Sequence, residues 1–172
     1  SKVLTDAELL HRSEPFDLAC AEFDATLVID DRDDIGLALG ADGVHVGADD
    51  IPVALVREMI DPDAIVGATA RSVDEARRAE EDGATYLGIG PVFASSSKEA
   101  TLATPIGLSG VEAIASAVDI PVFAISGIEV PHVRPLLDAG AWGVAVIIAV
   151  FGAPDVGEAV AAFLDALGGT GR

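Results

Sequence analysis

Two short acidic runs stand out as groups that could do chemistry. Asp30 and Asp31 precede Arg32, and Asp49 and Asp50 follow His45-Val46-Gly47. Carboxylates at two neighbouring strand ends can share one hard cation; Mg²⁺ is typically held by one or two carboxylates together with substrate phosphates. Their alternative role is that of solvated caps in an Asp-rich chain. A second group is hydroxyl-rich: Ser95, Ser96 and Ser97 run into Lys98. Hydroxyls and backbone N–H groups can donate to an anion there, and the ammonium adds charge. An ordinary surface loop would read the same way. Small or apolar residues at Ser126-Gly127-Ile128 and Ile147-Ile148-Ala149 each precede a segment with helix-opening character. Glycine lets the backbone approach a ligand closely, and a helix N-terminus favours phosphate. No Ser/His/Asp or Cys/His constellation is evident.

These residues need elements to position them. Three segments can be laid over one another: GADGVHVG at 40–47, GATYLGIG at 83–90 and GAWGVAVI at 140–147. Each follows a helical stretch, opens on Gly-Ala and runs into a short apolar strand. The glycine suits a left-handed helix C-cap, and the apolar run suits a buried parallel strand. Further strands are expected at 25–29, 64–68 and 120–125. Helices are expected at 5–22, 34–39, 52–60, 72–81, 109–117, 131–138 and 154–167. Thr5 with Glu8, and Ser72 with Glu75, form capping-box patterns. Strict alternation of strand and helix gives an α/β fold with a parallel sheet, and one domain over residues 1–172. An open doubly wound sheet and a (β/α)8 TIM barrel both place their chemistry at strand C-terminal ends. Length favours the open sheet; the residues at the strand exits favour an incomplete barrel of about six units.

Composition narrows the partners. The 172 residues carry a net charge of −19, with two lysines, Lys2 and Lys98. Such a surface repels nucleic acid and anionic membranes. It suggests adaptation to high salt, where screening removes the repulsion between carboxylates. It also implies that cations serving an anionic substrate are concentrated at its site. No apolar run approaches the about 20 residues of a membrane span. The N-terminus lacks a secretory pattern, so a cytoplasmic protein is expected. Cys20 is the one cysteine; it reads as a small buried hydrophobe.

From Lys2 onward the chain resembles the thiamine-phosphate synthase family of (β/α)8 barrels. GADGVHVG followed by Asp50, the run EEDGATYLGIGPVF at 80–93, and GVAVIIAVF at 143–151 carry the likeness. The resemblance implies Mg²⁺-dependent joining of an aminopyrimidine methyl diphosphate to a thiazole phosphate, with release of pyrophosphate. It puts Asp31 and Asp50 at the Mg²⁺ carboxylates, and Lys2 and Lys98 at the diphosphate lysines. Thr69 takes the place of a serine near the pyrimidine and diphosphate. Ser95 to Ser97 face the thiazole phosphate partner, Gly127 is a phosphate-loop glycine, and Ile147 and Ile148 hold the segment closing the phosphate site. Lys98 and Thr69 are the expected catalytic pair. The implied mechanism is dissociative and needs no protein nucleophile; His45 is expected to be a packed core residue.

The chain departs from the family pattern at several positions. The family's initial strand, helix and second strand have no counterpart. Truncation, a homo-oligomer that completes the barrel, or rearrangement toward an open sheet would each account for that. Asp30 replaces an asparagine on the diphosphate side, Ser126 the first glycine of a Gly-Gly-Ile loop, and Ile148 a serine at the thiazole phosphate. Those three changes motivate an alternative: a catalytically impaired relative that binds thiazole phosphate or thiamine phosphate. The related thiazole tautomerase needs a histidine where this chain has Pro91, and so ranks lower.

Overall fold

The computed structural model describes residues 4–48, 50–94 and 104–168. The calls at Lys2, Ser95, Ser96, Ser97 and Lys98 therefore lie outside the described residues. The sequence leads to an expectation of one domain. Cα packing groups the chain into two compact units, Ser1–Ala68 with Asp82–Thr85, and Thr69–Glu81 with Tyr86–Arg172.

The first unit opens on α1 (Asp6–Phe23). Its N-terminus is the expected capping box: Glu8 N–H donates to Thr5 Oγ1 at 3.3 Å, and Thr5 N–H donates to Glu8 Oε2 at 2.9 Å. The Thr5 N–H and the Thr5 hydroxyl both donate to the Glu8 carboxylate, which favours its ionised form and lowers its pKa. There follow β1 (Val28–Asp30), α2 (Asp33–Leu39), β2 (Gly43–Val46), α3 (Val53–Met59) and β3 (Ile65–Ala70), the last running into the second unit. β1 pairs in parallel with β2, and β2 with β3. The ladder starts at Val28 rather than Ala25 because the chain before it is otherwise engaged. Ala25 N–H closes the C-terminus of α1 on Cys20 O, and Leu27 N–H is taken by the Asp42 carboxylate at 2.7 Å. Val44 and Val46 are buried with Val53 and Val56 of α3, while His45 between them points to the other face.

The second unit holds the end of β3, α4 (Val73–Glu81), β4 (Tyr86–Ile89), α5 (Gly107–Ala115) and β5 (Val122–Ile125). A 3-10 turn (Val130–His132), α6 (Val133–Asp138), β6 (Gly143–Ala145), α7 (Ile148–Phe151) and α8 (Val156–Ala166) complete it. β4 pairs with β5 and β5 with β6, again in parallel. Leu87, Ile89, Val122 and Ala124 of the strands are buried, as are Val111 and Ile114 of α5 and Val133 and Leu136 of α6. In both units sequential strands are neighbours, without the reversal of order that marks a doubly wound sheet.

The threefold Gly-Ala repeat is the local device behind this regularity. Gly40, Gly83 and Gly140 have φ of 70°, 99° and 97°. Each ends a helix in the left-handed region and turns the chain into the next strand. The second capping box is only half formed. Glu75 N–H donates to Ser72 Oγ, but the Glu75 carboxylate accepts from Arg71 N–H at 2.6 Å instead of Ser72.

Candidate active site

In the first unit the acidic residues gather at the C-terminal ends of β1 and β2. Asp30 is the last residue of β1 and lies in register with His45. Asp31 follows in the left-handed region at φ 62°, with its N–H donating to His45 O at 3.0 Å. That bond carries the β1–β2 ladder one step past the strand and turns the chain sharply. Asp50 reaches back over the turn after β2, and its Oδ2 accepts from Gly47 N–H at 2.7 Å. A Cβ at Gly47 would stand 2.5 Å from that oxygen and push the Asp50 carboxylate aside.

His45, in register with Asp30, is half-buried. Burial pushes its imidazole below the ordinary value, and the charges of Asp30 and Asp50 act in the opposite direction. Both carboxylates therefore act electrostatically on one ring. Arg32, the cation nearest in sequence, is engaged elsewhere: its guanidinium bonds Asp34 at 2.7 Å and Asp6 at 2.9 Å. Those bonds hold its proton more tightly still.

In the second unit, Thr69 lies inside β3, one residue before its end, and not at the strand exit expected for it. The β-branched Thr continues the ladder, and Gly90 N–H bonds Ala70 O. The exits of β4 and β5 are tied together by Val92 N–H to Ile125 O at 3.0 Å and Phe93 N–H to Ser126 O at 3.2 Å. Gly127, at φ 69°, passes so close that a Cβ would lie 2.6 Å from Ala94 O. Ser126 is also left-handed, at φ 74°, and its Oγ is buried with no hydrogen-bond partner among the described residues. A buried orphan hydroxyl in a native fold points to a partner outside the chain's own polar atoms, a water or a ligand.

Ile147 caps α7 and Ile148 opens it, where only a turn was expected at Phe151-Gly152. Their side chains are exposed, so the polar groups this segment offers are first-turn N–H groups. Sequence reasoning missed a further contact: the Phe93 and His132 rings stack with centroids 4.2 Å apart. The two are distant in sequence, and His132 carried no signal beyond lying at a helix start.

The structure thus brings the charges of Asp30 and Asp50 to bear on His45 in one unit, with Asp31 tied to the His45 carbonyl through its backbone N–H. It brings Ser126 and Gly127 to the β4 exit in the other. Among the described residues no group of three or more His, Cys, Asp or Glu side chains is arranged to hold a metal.

Comparison with known proteins identifies the family. The family model described as thiamine monophosphate synthase matches residues 1–150. The chain belongs to this family. It is 45% identical over 163 residues to the thiamine-phosphate synthase of Salinispora arenicola, covering 95% of this chain and 78% of that protein. Against the thiamine biosynthesis bifunctional protein ThiM/ThiE of Symbiobacterium thermophilum it is 48% identical over 147 residues, or 86% of this chain, and spans 30% of that relative's length. The solved thiamine phosphate pyrophosphorylase of Pyrococcus furiosus superposes with a TM-score of 0.88 at 38% identity, over 97% of this chain and 79% of that one. The fold class is accordingly that of the (β/α)8 barrel, represented by six parallel strands with their helices. No helix among the described residues is long and apolar enough to cross a membrane.

Proposed function

We propose that this chain is a thiamine-phosphate synthase. In that reaction the aminopyrimidine methyl diphosphate loses pyrophosphate, and the thiazole nitrogen of a thiazole phosphate captures the resulting pyrimidine methyl cation. The observation that supports this most directly is family membership at 45% identity over 95% of the chain, with acidic and phosphate-loop residues at the strand ends.

The residues present fit Mg²⁺. Two carboxylates with hard oxygens suit a cation that completes its octahedron with water and substrate phosphates, and three or more protein ligands are not needed. Gly47 N–H occupies one oxygen of Asp50 and orients the other. Asp31 and Asp50 would hold the ion, which when bound supplies positive charge to the departing diphosphate. In this reading Asp30 lies beside the diphosphate, where its own charge needs that compensation. Lys2 and Lys98 pair with the diphosphate oxygens, and Lys98 stabilises the leaving group together with the Thr69 hydroxyl. Ser95 to Ser97, Gly127 and the N–H groups at Ile147 and Ile148 receive the thiazole phosphate. The protein's contribution is orientation and fixed charge, with no covalent intermediate.

The same reading makes the partners small phosphorylated molecules, places the enzyme in the cytoplasm, makes high salt its working environment, and leaves room for a homo-oligomer. Pyrophosphate release from the two substrates with Mg²⁺ tests the central claim. Turnover that requires both substrates and is abolished by EDTA is expected. Absence of pyrophosphate at saturating substrates and Mg²⁺ would overturn it.

A further inference from the structure

We infer that His132 is a positioning residue for the phosphate-binding half of the site, acting through Phe93. This rests on the function proposed above and adds a residue to it. Backbone bonds from Val92 and Phe93 to Ile125 and Ser126 make the β4 and β5 exits leave the sheet as a pair. Gly127 packs under Phe93 and Ala94 too closely to admit any side chain. Phe93 therefore sits at the junction of two segments: the β4 exit at 90–94, and the β5 exit that holds Gly127.

One face of the Phe93 ring is closed by the imidazole of His132, at 4.2 Å and an interplanar angle of 32°. The imidazole is itself fixed. Its Nδ1 accepts from Glu129 N–H at 3.1 Å, and the Glu129 side chain accepts from His132 N–H in return. That reciprocal pair of bonds ties the ring to the backbone at Glu129 and sets its orientation. The ring locked at the start of α6 thus holds the phenyl ring, and the phenyl ring holds the spacing between the two segments. Both rings are half-buried, and neither needs to touch the substrate. Small errors in such spacing cost binding and rate steeply, because catalysis here depends on placement.

The test uses the full chain and measures kcat and KM for each substrate separately, with calorimetric titration of the thiazole phosphate alongside. For His132→Ala, KM for the thiazole phosphate is expected to rise roughly tenfold, with KM for the pyrimidine diphosphate within about twofold of wild type. His132→Phe keeps a ring against Phe93 and should recover most of the loss. His132→Asn keeps an acceptor for Glu129 N–H but no ring, and should not. Phe93→Leu should reproduce the alanine variant from the other side, and serves in its place if His132→Ala does not fold. Equal effects on both substrates, no effect on either, or full rescue by Asn with none by Phe would each overturn the inference. Wild-type binding of the thiazole phosphate without turnover would refute the proposed reaction alone. With that binding intact, unweakened titrations by His132→Ala and Phe93→Leu would refute the positioning role alone. A wild-type chain that does neither would refute both.

Discussion

Replacing Ser126 by glycine should stabilise the protein. The position is left-handed at φ 74°, where a Cβ costs about 1–2 kcal/mol. The hydroxyl is buried without a partner among the described residues, a defect worth about 1–3 kcal/mol. Glycine removes both, and gives back roughly 0.5–1 kcal/mol through the greater freedom of the unfolded chain. A net gain of about 1–4.5 kcal/mol remains, which for a chain of this length raises the melting temperature by roughly 2–18 °C. Ser126→Ala separates the two contributions: it removes the hydroxyl and keeps the Cβ, so it should fall between wild type and glycine. Urea denaturation monitored by circular dichroism measures all three on one scale. A glycine variant no more stable than wild type would refute the reasoning, since neither the strain nor the orphan hydroxyl would then cost anything. An alanine variant matching glycine would assign the whole cost to the hydroxyl.

Other expectations follow from the same geometry. Asp31→Asn and Asp50→Asn should each lower kcat/KM by about 100-fold or more and raise the Mg²⁺ concentration for half-maximal rate; unchanged Mg²⁺ titrations would remove them as ligands. Burial lowers the His45 pKa, so below its ordinary value near 6.5 the unfolded chain binds more protons than the folded one. Stability should therefore fall as the pH drops from about 7.5 to 5.5, and a smaller fall in His45→Gln, read from urea midpoints, checks this. With a net charge of −19, raising KCl from about 0.1 to 1 M should raise the melting temperature by screening carboxylate repulsion; a flat or falling response counts against salt adaptation. A Cβ at Gly43 would press on the Ile65 backbone, 2.5 Å from its Cβ, so Gly43→Ala should cost about 3 kcal/mol, measured by the same denaturation.

What could be read in the sequence was local. The Thr5–Glu8 box and the three Gly-Ala caps depend on residues a few positions apart, and each formed where expected. Asp30 and Asp50 were expected at adjacent strand ends because alternation fixes which strands are neighbours, and both act on His45. Thr69 was expected just past β3 because the apolar run stops at Ala68; the strand continues because a backbone ladder needs no apolar side chain, and a β-branched one suits it. Glu75 was assigned to Ser72 on spacing alone, but Arg71 N–H lies within its reach as well. The contact between Phe93 and His132 was not legible at all. It depends on how two strand exits pair in space, and periodicity carries no information about ring stacking between loops.

The placement of cations bears on where an anionic substrate finds its charge. Arg32 stands at the β1 exit, next to the acidic cluster, and by position alone would be a diphosphate ligand. Its guanidinium is instead shared between Asp34 and Asp6, joining the start of α2 to the first turn of α1. Arg57 donates to the carbonyls of Gly83, Ala64 and Pro62 and so acts as a structural clamp. Arg134 pairs with Asp138 one helical turn on. Each of these arginines already serves the fold, and moving Arg32 onto a substrate would break two ion pairs to gain one. In a chain of −19 these three arginines are already engaged, and the attraction for an anion must come from other cations or from a bound metal. By family resemblance the lysines at 2 and 98 would supply such charge, and a metal held by Asp31 and Asp50 would turn local acidity from an obstacle into a means of holding a diphosphate.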